Sequence, residues 1–403
     1  MPSLSHGRAC LAVAFGFILF FLVLKLQYAI HSPTSFSFTT QYSRPSNSRT
    51  HGVSNDTLGF QKIFVINAPW RSDRKDSIAL AASYTGISLD WIPGVSVEDM
   101  QDKAYPPGNH RTVSPGNKGS WRAHMNAIRT VIERNLTTAL IMEDDGDWDL
   151  RIREQLEVFG KGTRKMPELI AKAERQVTLQ PPSWDTKLDR KELAKRSSID
   201  LSSLSSRDDT NNVYGSDWDV LWLGHCGAEL PPPALNSPNR ILIPNDDTVP
   251  SPQHLKPMRS APLDPISTLY PPHTRVLHHL NHTLCTIAYA VTQRGARKIL
   301  YEFGVREFSK GYDFALSDFC NGLTRGSRRE TMPVCIGVNP PLFSHWFGDG
   351  RGGSDIMGVG SGGRETGSRY VRWSVRRNLE RLGTGEGVEE SWGDPSDEER
   401  RGG

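Results

Sequence analysis

The stretch Ala139-Leu-Ile-Met-Glu-Asp-Asp-Gly-Asp-Trp-Asp149 runs four apolar residues into five acids within the next seven positions. An uninterrupted short apolar run reads as a strand buried on both faces, as in a parallel sheet. Such a strand, over Thr138–Met142, delivers its acids to the sheet edge. The preceding segment, Trp121–Arg134, sets Trp121, Met125, Ile128 and Ile132 at helical spacing. Further upstream, Gln61-Lys-Ile-Phe-Val-Ile-Asn67 predicts another buried strand. Ser72–Tyr84 predicts a helix capped by Ser72 or Asp73, with Ile78, Ala81 and Ala82 on one face. Gly86–Ile92 alternates as a second strand. Downstream, Trp218–Gly224 and Thr286–Thr292 read as strands, and Arg294–Phe303, Tyr312–Asn321 and Tyr370–Leu382 as helices, the last with arginines on one face. This alternation is that of an α/β fold, in which acids at a strand's carboxyl end lie where open sheets bind ligands.

The chain of 403 residues is only 37% hydrophobic and holds 36 Gly and 27 Pro, so loops, linkers or tails take a large share. Net charge is +3, from 48 basic and 45 acidic residues, which offers no electrostatic reason to expect nucleic acid as a partner. Cys10–Leu24 carries no charge, and with Lys25 snorkelling the apolar span reaches Ile30, roughly 20 residues, enough to cross a bilayer. Bulky residues follow it, so an uncleaved signal-anchor is expected over 10–30, with 1–9 cytosolic and a Ser/Thr/Pro-rich stem over 31–59. The folded domain is expected over 60–356, broken by a flexible insertion at 157–215 and a Pro-rich loop at 231–272. A Gly/Arg/Glu-rich segment, 357–403, ends the chain, and no internal repeat is present. Sequons at Asn55, Asn135 and Asn281 suit a lumenal body. Cys226, Cys285, Cys320 and Cys335 are even in number, compatible with two disulfides or with buried thiols.

Five clustered acids repel one another, and a cation is their natural neutraliser. Glu143 and Asp145 present oxygens suited to a hard divalent ion such as Mn²⁺ or Mg²⁺, which keeps positions open for phosphates. An EF-hand loop counted from Glu143 fails, because Trp148 stands where glycine is required. A solvated strand end without ligand is the bland alternative. Asp147 and Asp149 are expected to start the next helix, Leu150–Val158, rather than to bind the ion. His278, His279 and His282 lack a fourth ligand at zinc spacing and read as loop residues.

Taken together, Ile63–Asn67, Arg71-Ser-Asp-Arg74, Gly119 with His124, Ala139–Asp145, Trp218–Gly224 and Ala288–Ala296 resemble glycosyltransferase family 25 in content and order. That family includes bacterial lipooligosaccharide galactosyltransferases and animal collagen galactosyltransferases. The resemblance covers 60–356, Ser354-Asp-Ile356 matching a late block, and departs at Ser120 and Ala123 within Gly119-Ser-Trp-Arg-Ala-His124. It implies a GT-A-like nucleotide-sugar transferase domain with a mixed, mostly parallel central sheet, and inverting transfer of a hexose, galactose favoured, from a UDP-sugar to a glycan or glycoprotein. On that resemblance Glu143 and Asp145, with His345 as a late third ligand, hold the metal. Asn67, Arg71, Arg74, Gly119, His124 and Asp144 bind the nucleotide-sugar. Inversion needs a general base, for which Asp313 ranks first and Asp318 second. The implied location is the Golgi or endoplasmic-reticulum membrane, single-pass type II, with the domain lumenal. The alternative is a catalytically silent, lectin-like or scaffold member of the same fold.

Overall fold

The computed structural model describes residues 52–179, 189–204, 212–234, 237–255, 265–324, 332–348 and 367–395. The anchor at 10–30, most of the stem and Ser354–Ile356 lie outside them. Among the described residues no helix is long and apolar enough to cross a membrane.

The chain opens with β1 (Lys62–Asn67), α1 (Ser72–Thr85) and β2 (Asp90–Pro93), continues through α2 (Pro115–Glu133), and reaches β3 (Thr138–Glu143). β1 lies parallel to both β2 and β3, and the register sets Ile66 beside Glu143. Later strands are β4 (Gly146–Trp148), β5 (Ser198–Asp200), β6 (Val220–Gly224), β7 (Arg240–Ile243), β8 (Arg275–His279), β9 (Ala288–Thr292) and β10 (Cys335–Asn339). The main sheet runs β2-β1-β3-β9-β6-β10-β8-β7-β5. β8 and β9 oppose their neighbours and the other strands on this path share one direction, so the sheet is mixed and mostly parallel. Off the path, β11 (Phe343–Phe347) runs antiparallel to β4 and to β12 (Gly367–Ser368). This mixed α/β architecture fits a GT-A-like domain.

The apolar run of β3 is buried on both faces, which is why it does not alternate. Leu140 and Met142 join Ile63, Val65, Leu156 and Phe159 on one side of the sheet. Ala139 and Ile141 join Phe64, Trp121, Met125 and Ile128 on the other. Gly119 lets α2 approach the β2 exit closely, since a Cβ there would lie 2.3 Å from the Val95 carbonyl oxygen.

Several expectations are corrected. α2 begins at Pro115, six residues before Trp121; its glycines lower helix propensity, but proline suits the first turn. The expected flexible insertion contains the end of α3 (Ile152–Thr163), then α4 (Met166–Leu179), α5 (Arg190–Arg196) and β5. Phe159, Met166 and Ile170 bury into the core, so burial of one apolar stripe outweighs the mixed charge of the outer face. The Pro-rich loop contains β7 and α6 (Pro265–Leu269), and the helix expected over Arg294–Phe303 is α7 (Gln293–Tyr301). His278 and His279 lie in β8, where His278 is buried. The carboxy-terminal helix is confined to Leu379–Thr384, because Arg372 and Arg376 turn inward to bonds with the domain. Both cysteine pairs form disulfides, Cys226–Cys285 and Cys320–Cys335.

Candidate functional site

A cavity of about 260 Å³ opens at the carboxyl ends of β1 and β3. Ile66, Ala68, Trp70 and Arg74 form one wall, the Gly94–Val97 turn a second, and Gly119, Ser120 and His124 of α2 a third. Glu143, Asp144 and Asp145 form the floor.

The three acids have separate surroundings. Asp144 accepts from Asn67 Nδ2 at 2.8 Å and from Arg74 Nη1 at 3.0 Å. The same Arg74 nitrogen reaches Asp145 Oδ2 at 2.9 Å, so one guanidinium bridges both carboxylates. β11 brings His345 opposite Gly146, and its Nε2 lies 3.1 Å from Asp145 Oδ2. The backbone holds this pairing, as Trp346 N–H donates to the Asp145 carbonyl at 2.8 Å. Burial raises the Asp145 pKa, but His345, Arg74 and Arg376 outweigh it and hold the group well below the usual range. Asp144 is pushed up, first by burial and then by its charged neighbour Asp145.

Glu143 turns to a different set of partners. Its Oε1 accepts from Thr286 Oγ1 at 2.7 Å and lies 3.5 Å from His124 Nε2. His124 is buried, stacks on Tyr312 at 4.3 Å between ring centres, and bonds through Nδ1 with the Tyr289 hydroxyl at 3.1 Å. The Tyr312 hydroxyl donates to Tyr289 at 3.0 Å and closes the network. Asp313, next on α8 (Tyr312–Cys320), accepts from Cys285 N–H at 3.3 Å and from its neighbour Phe314 N–H at 2.9 Å. Burial raises its pKa, and the charge of Glu143 adds to the rise.

The residues named from sequence therefore fall into groups. Asn67, Arg74, Asp144, Asp145 and His345 come together, and Glu143, His124 and Asp313 form an adjacent group. Gly119 lines the cavity and allows the close approach of α2. The Arg71 guanidinium forks onto Asp73 at 2.9 and 2.7 Å at the start of α1. Asp318 pairs with Lys310 beside a separate cavity of about 120 Å³.

Asp147 does not start a helix. It is fully buried and accepts from Ser368 Oγ, Ser374 Oγ and the Arg376 N–H at 2.6, 2.5 and 3.1 Å. Asp149 does precede α3, accepting from Arg151 N–H at 2.9 Å, and its other oxygen takes the Trp373 N–H at 2.9 Å. Burial lifts its carboxyl to about 6. The sequence reading missed Thr286, Tyr289, Tyr312 and Arg376, none of which lies near the acids in the chain.

Among the described residues no three His, Cys, Asp or Glu side chains are grouped closely enough to hold a metal ion. Asp145 and His345 nevertheless offer an oxygen and nitrogen donor pair. Asp145 Oδ1 and His345 Nδ1 are buried without hydrogen-bond partners. A buried carboxylate oxygen left unpaired in a cavity floor suits a cation, because an unmet acceptor carries its full desolvation cost.

No protein-family model matches the chain. Procollagen galactosyltransferase 1 of Danio rerio is 26% identical over 114 residues, which is 25% of this chain and 19% of that protein. Procollagen galactosyltransferase 2 of Mus musculus and of Homo sapiens are each 26% identical over 113 residues, 25% of this chain and 18% of theirs. The chain thus spans under a fifth of the length of these relatives, and the matches support a distant, glycosyltransferase-like relationship.

Proposed function

We propose that the protein is a metal-dependent glycosyltransferase of family 25 that moves a hexose, galactose favoured, from a UDP-sugar to a glycan or glycoprotein with inversion. The observation that carries this reading is Asp145 in the cavity floor, with Oδ1 unpartnered, His345 against its other oxygen and Arg74 bridging the adjacent carboxylates. Asp145 would hold Mn²⁺ or Mg²⁺ through its unpartnered oxygen, with His345 joining once its Nε2 gives up the Asp145 bond, and when bound the ion supplies positive charge against the leaving diphosphate. Glu143 is committed to Thr286 and His124, so it supports the metal only if that bond is given up.

Arg74 suits the diphosphate, since its fork can exchange carboxylate oxygens for phosphate oxygens. Asn67 orients Asp144, and Trp70, exposed on the cavity wall, offers a flat apolar surface to the donor. The acceptor hydroxyl attacks the anomeric carbon, the bond to the UDP oxygen breaks, and Asp313 takes the hydroxyl proton. Its raised pKa favours holding that proton. The disulfides and sequons support a lumenal domain behind an anchor at 10–30, in Golgi or endoplasmic-reticulum membrane.

The purified full chain, given UDP-galactose, Mn²⁺ and a glycan panel, is expected to release UDP. Asp145→Asn should remove at least 100-fold of that turnover, about 2.7 kcal/mol of transition-state stabilisation. Wild-type turnover in that variant would sink the metal assignment. A folded wild type that binds neither UDP nor metal would favour the lectin-like or scaffold alternative.

A further inference from the structure

We infer that Arg376 is a positioning residue for the acidic turn, and that the segment containing it is a working part of the site. The inference rests on the proposed function, in which that turn carries the metal and donor chemistry.

Arg376 lies 232 residues beyond Asp144, yet its Nη2 donates to the Asp144 carbonyl oxygen at 2.5 Å. Its Nε donates to the Gly146 carbonyl at 2.9 Å, so the two arms of the guanidinium grip the turn on both sides of Asp145. The remaining nitrogen, Nη1, donates to Ser77 Oγ at 3.1 Å. Ser77 sits one turn along α1 from Arg74, which bridges the side chains of the same two acids. A single side chain therefore fixes the backbone of the acidic turn relative to the helix that neutralises it.

Arg376 is itself held in place. Its N–H donates to Asp147, which also gathers the Ser368 and Ser374 hydroxyls. Val375 N–H donates to the Trp148 carbonyl at 3.0 Å and Leu150 N–H to the Trp373 carbonyl at 2.9 Å, so 373–375 runs alongside 148–150. Arg376 is buried and does not line the cavity. It acts through the turn, with no contact to the donor. Lysine cannot take its place, because one ammonium cannot span two carbonyls and a hydroxyl in a fixed plane.

The test uses the full-length protein and three variants, with UDP titrated calorimetrically in the presence and absence of Mn²⁺ and melting followed in parallel. Arg376→Lys is expected to weaken Mn²⁺-dependent UDP binding at least tenfold. Arg376→Ala is expected to lose more and to regain part of it when methylguanidinium is added. Ser77→Ala, which releases the guanidinium only from α1, should weaken binding about threefold with little change in melting. A folded Arg376→Lys that binds Mn²⁺ and UDP as the wild type does would overturn the inference. If both Arg376 variants fail to fold, wild-type affinity in Ser77→Ala overturns it instead. Absence of Mn²⁺-dependent UDP binding in the wild type would overturn the functional reading and the positioning role with it.

Discussion

Asp144 and Asp145 are adjacent, both buried, and pulled in opposite directions: burial and its neighbour raise the first, while His345, Arg74 and Arg376 hold the second down. That division follows from partners brought by β11, α1 and the carboxy-terminal segment. Asp147 has a structural task, and removing it would leave the Ser368 and Ser374 hydroxyls and the Arg376 N–H without their acceptor. Asp147→Ala should cost about 3 kcal/mol in urea unfolding, since buried donors left without an acceptor keep their desolvation cost, and a loss below about 1 kcal/mol would show that the anchor is not needed. Three buried histidines work against stability in acid. Burial holds His225, His278 and His279 at about 4, 3 and 4, against an ordinary 6.5. Between pH 6.5 and 4 the unfolded chain takes up protons that the native state refuses, so stability falls as pH drops through that window. Asp149, raised to about 6, acts oppositely because the native state holds its proton, and the raised carboxyls of Asp144, Asp147 and Asp313 act with it at lower pH. The histidine contribution is read by difference: between pH 6.5 and 4 His278→Gln should lose less melting temperature than the wild type, and an equal loss in both would contradict the assignment. The acidic stretch was legible from its charge alone as carboxylates at a strand's end, where the cavity lies. Arg376 was not, because a partner 232 residues away leaves no local pattern.

β1, α1 and β3 were legible because each has a local signature: an apolar run ending in polar residues, or buried positions three and four apart. α2 was legible only in its second half. Its first turns carry Gly116 and Gly119, residues that argue against a helix until packing is considered, and Gly119 is required by the Val95 carbonyl. Gly119→Ala should therefore destabilise by about 1–3 kcal/mol despite alanine's better helix propensity, as read by chemical denaturation. A stabilised variant would mean that the β2 exit can shift at no cost. α4 and α5 were read as a flexible insertion because their charged outer faces dominate the composition, although Met166 and Ile170 are buried. The Cys320–Cys335 bond joins the end of α8 to the start of β10, with a sequence separation of 15. Replacing both cysteines with serine should lower unfolding free energy by about 3 kcal/mol on the loop-closure argument, and no change would show that the link is dispensable.

The order of the blocks in the chain pointed to the α/β sheet, and the topology brings β1 and β3 together so that Asn67, Arg74 and the acids meet at one edge. What order could not convey is closure from behind. β11 supplies His345, and the segment from Gly367 onward locks the turn through Asp147 and Arg376. The acidic turn is thus held from both ends of the domain, and in the proposed function its chemistry depends on Asp145, with His345, accepting a divalent ion beside a nucleoside diphosphate. Calorimetric titration of UDP into the full chain, with Mn²⁺ and then with the metal chelated, tests that dependence directly. Binding that requires Mn²⁺ and is lost in Asp145→Asn is the predicted result; UDP binding unchanged by chelation, or none under either condition, would contradict it.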